Sequence, residues 1–368
     1  MIWFMDYINR LKDHLRVMAD LISVSGMEQE MVRYIAGTAK SAGASVTVNT
    51  IGNVTAALEG NSPGPTVFLG AHTDEIGLVV RGISENGFIG FERLGGVADS
   101  LLPARDVLVS LKRIPGVIGY KPGHLQSPED ARKVAPITDF FVDVGASSRA
   151  EVTALGIRIG DPIVFKSSVT EFPPSSRVAM RGLDDKLGCA VLLVLLEELK
   201  DREFPGILHC VFTVQEEVGM KGASVAMHGL EPDYAIAIDT IPVADTPGSV
   251  PSEILPLVLG AGPAIVTQNR AGGDYFFQTH PAVESLLCGT AERISVPLQR
   301  ASMLGFQYAT DASALGYANG GIAAGILALP RRYSHSPVEF ADLADAGGAV
   351  KILKTVIRET GTFNKSFI

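Results

Sequence analysis

The apolar positions of this chain fall into two regimes. In the first, they follow helix and buried-strand periods. Leu15, Met18, Leu21 and Ile22 recur at a spacing near 3.6 and predict a helix over residues 13–22. Ser25-Gly-Met-Glu28 reads as a capping box that opens a second helix over 28–42. Residues 66–71, 207–214, 234–238 and 322–329 are short apolar or alternating runs of strand length, and 186–199 is a largely apolar helix. Strands that alternate with helices predict an α/β fold: a mixed, largely parallel sheet covered on both faces, in three α/β/α layers.

The second regime covers residues 77–175. Short β-type segments at 78–81, 88–91, 107–111, 116–119, 140–144 and 162–165 are separated by Gly, Pro and Asp clusters, without a long helical period. This is the pattern of a small all-β barrel. The α/β pattern resumes near Arg177. The expected organisation is therefore an α/β domain built from 1–76 and 176–368, interrupted by a β domain at 77–175.

Composition narrows the function classes. At 368 residues with 46% apolar and 19% charged positions, the chain is not the polar, highly charged kind that stays disordered. Its 31 Lys and Arg against 40 Asp and Glu give a net charge of −9, without the basic footprint of a nucleic-acid binder. The apolar run 189–196 ends at Glu197-Glu198, far short of the roughly 20 residues that span a bilayer. The segment Met1–Asp6 has no basic stretch of the signal-peptide kind. Cys189, Cys210 and Cys288 form no C-x-x-C and sit in apolar surroundings, which predicts free thiols in a reducing compartment. The expectation is a cytoplasmic protein that engages neither nucleic acid nor membrane.

Candidate chemistry collects at the ends of the apolar strands. His72 ends the first and is followed by Asp74; Glu216-Glu217 follow the second; Asp239 ends the third; His335 lies shortly after the fourth. Each alone reads as a turn or capping residue, and the Asp184-Asp185 pair before the apolar helix suits a helix N-terminus. Together they offer two imidazoles and several carboxylates at the edge where α/β folds place their sites. Such N/O donors suit Zn²⁺, Co²⁺ or Mn²⁺. They are too many for one ion and fit two that share a carboxylate, a design that clamps a water and a substrate oxygen. One Glu of the 216–217 pair could then be a ligand and the other a general base, because consecutive side chains point in different directions.

The segments His72-Thr-Asp-Glu-Ile-Gly77, Leu183-Asp-Asp-Lys-Leu-Gly188, Gln215-Glu-Glu-Val-Gly-Met-Lys-Gly-Ala223, Ala237-Ile-Asp-Thr240, Thr310-Asp-Ala312 and Ser334-His-Ser-Pro-Val-Glu339 resemble, in order, the motifs of peptidase family M42. These are di-metal glutamyl and deblocking aminopeptidases that assemble into hollow tetrahedra. The resemblance implies a metallopeptidase fold with two divalent ions per chain, zinc foremost, with cobalt or manganese as alternatives. It implies His72 and Asp239 on one ion, Glu217 and His335 on the other, Asp184 bridging, Glu216 as general base and Asp74 orienting His72. It also implies peptide substrates, and a homo-oligomer of twelve chains built from dimers through the inserted β domain.

Three positions depart from the family pattern: Lys186, the glycine-free stretch Gln307–Asp311, and Arg331 before Arg332. Arg331 has two readings, a cation selecting N-terminal Glu or Asp, or a solvated surface residue; in the second case an aliphatic N-terminal residue is the fallback. Two other functions compete. A glycosidase would use adjacent carboxylates as its acid/base pair but leaves both histidines unexplained. A catalytically inactive assembly protein would not need the full ligand set.

Overall fold

The computed structural model describes residues 2–129, 132–272 and 275–367. Its centre is a twelve-stranded mixed sheet. The four middle strands, Pro205–Thr213, Ser62–His72, Tyr234–Pro242 and Ala324–Arg332, lie side by side in that order and all run parallel. Antiparallel strands close the flanks: Val54–Glu59 then Ser45–Val48 on one side, Glu339–Asp342 then Arg177–Met180 and Thr170–Glu171 on the other. A further strand, Ala264–Ala271, pairs antiparallel with Ala324–Arg332 and carries Tyr275–Gln278 and Gln299–Met303.

The middle strands are mostly apolar because both of their faces are largely covered; the half-buried His209 breaks the run in Pro205–Thr213. Leu69, Ile236 and Leu327 face a cluster that includes Leu11, Leu15 and Met18 of helix Ile2–Asp20, helix Leu183–Glu198, and Val350 and Leu353 of helix Leu343–Glu359. Phe68, Val211, Ala235 and Ile326 face the other way, onto Met220, Met227, Phe277 and Leu315. Every residue from Leu183 to Leu196 is buried, which explains why that helix carries no polar stripe.

The inserted segment forms a closed antiparallel barrel. Around it run Gly77–Ile83, Ile89–Leu94, Phe141–Asp143, Ile114–Gly119, Asp106–Val109 and Pro162–Phe165. Leu78, Val80, Phe91, Val107, Ile118, Val142 and Ile163 fill its interior. The insertion also holds a short helix, Arg149–Leu155, that the β pattern concealed. Ser148 caps it and Gly156, at φ +88, ends it.

Two local expectations are corrected. The second helix runs Gln29–Ser41 and Ser25 does not cap it; the Ser25 hydroxyl donates to Asp74 Oδ2 at 2.6 Å instead. Asp239 does not terminate its strand, which continues to Pro242. Cys189 and Cys210 are buried free thiols and Cys288 is half-buried. No helix among the described residues is long and apolar enough to cross a membrane.

Candidate metal centre

Parallel strands deliver their carboxyl ends to one edge of a sheet, and the four middle strands do so here. His72 is the last residue of its strand, Asp239 lies near the end of the next, Glu216 and Glu217 follow Thr213 after two residues, and His335 follows Arg332. Asp184 comes from above the edge, at the start of the buried helix.

Donor atoms of these residues form two groups. His72, Asp184 and Asp239 present ligand atoms within 4.8 Å of one another, and so do Asp184, Glu217 and His335. Asp184 belongs to both. Its Oδ1 lies 3.1 Å from His72 Nε2, and its Oδ2 lies 3.3 Å from His335 Nε2. His72 Nε2 is 3.8 Å from Asp239 Oδ1, and His335 Nε2 is 3.5 Å from Glu217 Oε2. Glu216 lines the same cleft, of about 390 Å³, but belongs to neither group. Asp185 turns away: its carboxylate accepts from the backbone N–H groups of His72 and Gly188 at 3.3 and 3.0 Å.

Asp74 is fully buried and braces two elements. Its carbonyl oxygen lies 3.1 Å from His72 Nδ1, which points Nε2 at Asp184 and Asp239. Its carboxylate lies 3.6 Å from the same Nδ1 and accepts from Glu216 N at 2.9 Å and Glu217 N at 3.2 Å. Asp74 thus holds the turn that presents the Glu pair.

Burial and the crowding of charged groups together set the electrostatics. Burial raises the Glu216 and Asp239 carboxyls well above the ordinary range, and Glu217 to about 7; neighbouring carboxylates add to each. Burial opposes a charge on His335, but Glu217 and Asp184 outweigh it and raise the imidazole to about 9. Burial also opposes ionisation of Asp184, yet Arg331, His335 and His72 hold it well below the usual carboxylate range. Glu217 Oε1 is buried without a hydrogen-bond partner. Divalent cations offset charge of this sign, and imidazole plus carboxylate donors fit them.

Several features around the ligands were missed or misread from the sequence. Glu339 is 1% exposed and accepts from Asp184 N at 3.0 Å, from His335 N at 2.9 Å and from Arg331 Nη1. Its sequence signal is its place four residues after His335, at the end of the motif Ser334-His-Ser-Pro-Val-Glu339. Arg331 is 2% exposed and donates to Asp184 Oδ2 at 2.8 Å and Ser334 Oγ at 2.9 Å, which overturns the reading of a solvated residue. Arg332 forms a bidentate pair with Asp245, at 2.8 and 2.7 Å. Finally, the loop after the barrel strand Ile89–Leu94 backs the site: a Cβ on Gly96 would fall 2.7 Å from His335 Nδ1, so only glycine fits there. Behind the ligands, Lys186 Nζ lies 2.8 Å from Glu75 Oε1 in a fully buried ion pair joined by Arg181.

Known proteins resemble this chain along most of its length. A family model described as M42 glutamyl aminopeptidase matches residues 52–352. A lysyl aminopeptidase from Pyrococcus furiosus is 31% identical over 340 residues, covering 91% of this chain and 93% of that protein. The solved structure of the aminopeptidase APDkam598 from the archaeon Desulfurococcus kamchatkensis superposes with a TM-score of 0.89 at 35% identity, covering 98% of this chain and 96% of the other. The Pyrococcus horikoshii TET1 peptidase, described as able to assemble into a tetrahedron or a large octahedral shell, gives a TM-score of 0.83 at 30% identity over 95% of this chain and 99% of its own.

Proposed function

The chain belongs to the M42 glutamyl aminopeptidase family, a hydrolase of peptide bonds, and on that premise we propose a two-metal exo-aminopeptidase with Glu216 as its general base. The observation that carries this reading is the pair of ligand groups sharing Asp184. His72 and Asp239 would hold one divalent ion, Glu217 and His335 the other, and Asp184 would serve both. Two ions so held would supply Lewis acidity toward a water and the substrate carbonyl.

The chain's own residues do the rest. Glu216 lines the cleft without joining either ligand group, so its carboxylate is free to take a proton from the attacking water. As the peptide C–N bond breaks, Glu216 returns that proton to the leaving amine nitrogen. Asp74 fixes Glu216 and Glu217 through their backbone N–H groups, so the base and its neighbouring ligand are set by one carboxylate. Asp74 also fixes His72, through its carbonyl oxygen.

Activity on aminoacyl-nitroanilides tests the reading. It should vanish on chelation and return when Zn²⁺, Co²⁺ or Mn²⁺ is added back to the apo-protein. Activity that survives chelation would reject it. The glycosidase alternative is not favoured, because it gives His72 and His335 no work.

We further infer that the protein acts as a homo-oligomer, of twelve chains built from dimers, with the barrel as the contact. The barrel region exposes Leu111, Val117, Tyr120, Leu125 and Val134, apolar side chains that a partner surface would cover. A monomer in analytical ultracentrifugation would refute this.

A further inference from the structure

The cleft beside the ligand groups has a wall that the chemistry above does not use. Met220, Pro242, Ala271, Tyr308 and Ala309 form it, with Tyr275 and Gln307 at its edge. We infer that this wall receives the N-terminal side chain of the substrate and selects a neutral, apolar one of leucine or methionine type. The inference rests on the aminopeptidase reading and specifies its substrate.

An acidic side chain would need a cation. Among the described residues that line the cleft, Arg331 is the only permanent one. Both of its terminal nitrogens are committed, Nη1 to Glu339 and Nη2 to Asp184 and Ser334, and its Nε is sealed from solvent. One guanidinium between two carboxylates has no net positive charge to offer. Arg332 is held by Asp245 and does not line the cleft. Lys221 is exposed, with its Nζ near Gly219 and Tyr275 at the rim, and a hydrated ammonium at a rim discriminates weakly.

A basic side chain would need a carboxylate. Among the described residues, those that line the cleft are Asp184, Glu216, Glu217 and Asp239, all taken by the ligand and base roles. The described residues of the wall itself carry none. Tyr308 spends its hydroxyl on Thr240 O at 2.9 Å and so presents its ring, and Gln307 Oε1 is taken by Gly272 N at 3.0 Å. A charged side chain pressed against this surface would trade its water for neutral groups at best, whereas an apolar one loses nothing by leaving water.

The test is kcat/KM of the metal-reconstituted full-length enzyme on leucyl-, methionyl-, glutamyl- and lysyl-p-nitroanilides, which share a leaving group. Leucyl or methionyl substrate should exceed both charged ones by more than tenfold. A glutamyl or lysyl value within tenfold of the better apolar one, or above it, overturns the inference and leaves the aminopeptidase reading standing. Hydrolysis of none of the four sinks that reading and this one with it. As a second arm, Ala271→Lys places a cation on the half-buried part of the wall. It should raise the glutamyl-to-leucyl ratio at least tenfold; a smaller change would show that the side chain binds elsewhere.

Discussion

Removing Glu339 should damage both the fold and the site. This side chain makes no contact with substrate in the mechanism above, yet one carboxylate accepts from the backbone N–H groups of Asp184 and His335 and from Arg331. Glu339→Ala leaves two backbone donors in the interior without acceptors, at about 1–3 kcal/mol each, and strips Arg331 of one of its two counter-charges. These costs overlap, and breaking a buried ion pair from one side runs about 3–5 kcal/mol in total. With a urea slope near 3 kcal/mol/M, the upper end of the small-protein range, that loss moves the unfolding midpoint by about 1 M or more. Glu339→Gln keeps one oxygen acceptor and the shape, and should lose about half as much. The damage should also be local in a defined way. His335 sits at φ +54, a left-handed backbone uncommon for any residue but glycine, and its N–H is held there by Glu339. Metal bound by Glu217 and His335 should therefore weaken more than metal bound by His72 and Asp239. The assays are urea titration followed by far-ultraviolet circular dichroism, and metal content by elemental analysis after graded chelation. A Glu339→Ala midpoint within about 0.3 M of wild type, with unchanged metal content, would refute the reasoning.

Three further outcomes follow from the site and its surroundings. Glu216→Gln preserves shape and removes the base, so metal content should stay near wild type while turnover falls roughly 10²–10⁴-fold; loss of metal would show that Glu216 is a ligand. Asp184→Ala should lower occupancy of both metal positions and abolish activity, and two metals still bound per chain would move the bridge to another carboxylate, Asp185 first. Away from the site, burial lifts the Asp345 carboxyl to about 7 although it accepts from Gly260 N at 2.8 Å and Gly262 N at 2.7 Å. The folded state then holds a proton that the unfolded state releases near pH 4, so this group's contribution to stability is full below that and declines as pH rises toward 7, by on the order of 1 kcal/mol per pH unit. Asp345→Asn should flatten that slope in denaturation measured from pH 4.5 to 7.5; an unaltered slope would exclude Asp345 as its source.

Much of the architecture is legible in the order of residues. A strand buried on both faces must be apolar along its length, so the four middle strands announce themselves, and the polar residues that interrupt them at their ends stand out: His72, Glu216, Glu217, Asp239 and, just beyond, His335. That these meet is a consequence of parallel strands sharing one edge, which an alternating strand and helix pattern already implies. The barrel is equally legible, because short β segments between turn residues have few other solutions. Spacing could not say which of two adjacent carboxylates faces the site. Asp184 and Asp185 are equivalent in sequence, and only the packing of their helix turns one toward both histidines and the other to backbone N–H groups. Nor could it pair Arg331 with Asp184, 147 positions away, or divert Ser25 from its helix to Asp74. Hydrophobic period is a local property, set by whether each side chain meets water or protein. The partner of a buried charge is not local: it is whichever opposite group the folded chain brings within hydrogen-bond reach once water has been excluded, and that is decided only when the sheet, the barrel loop and the helix ends close around it.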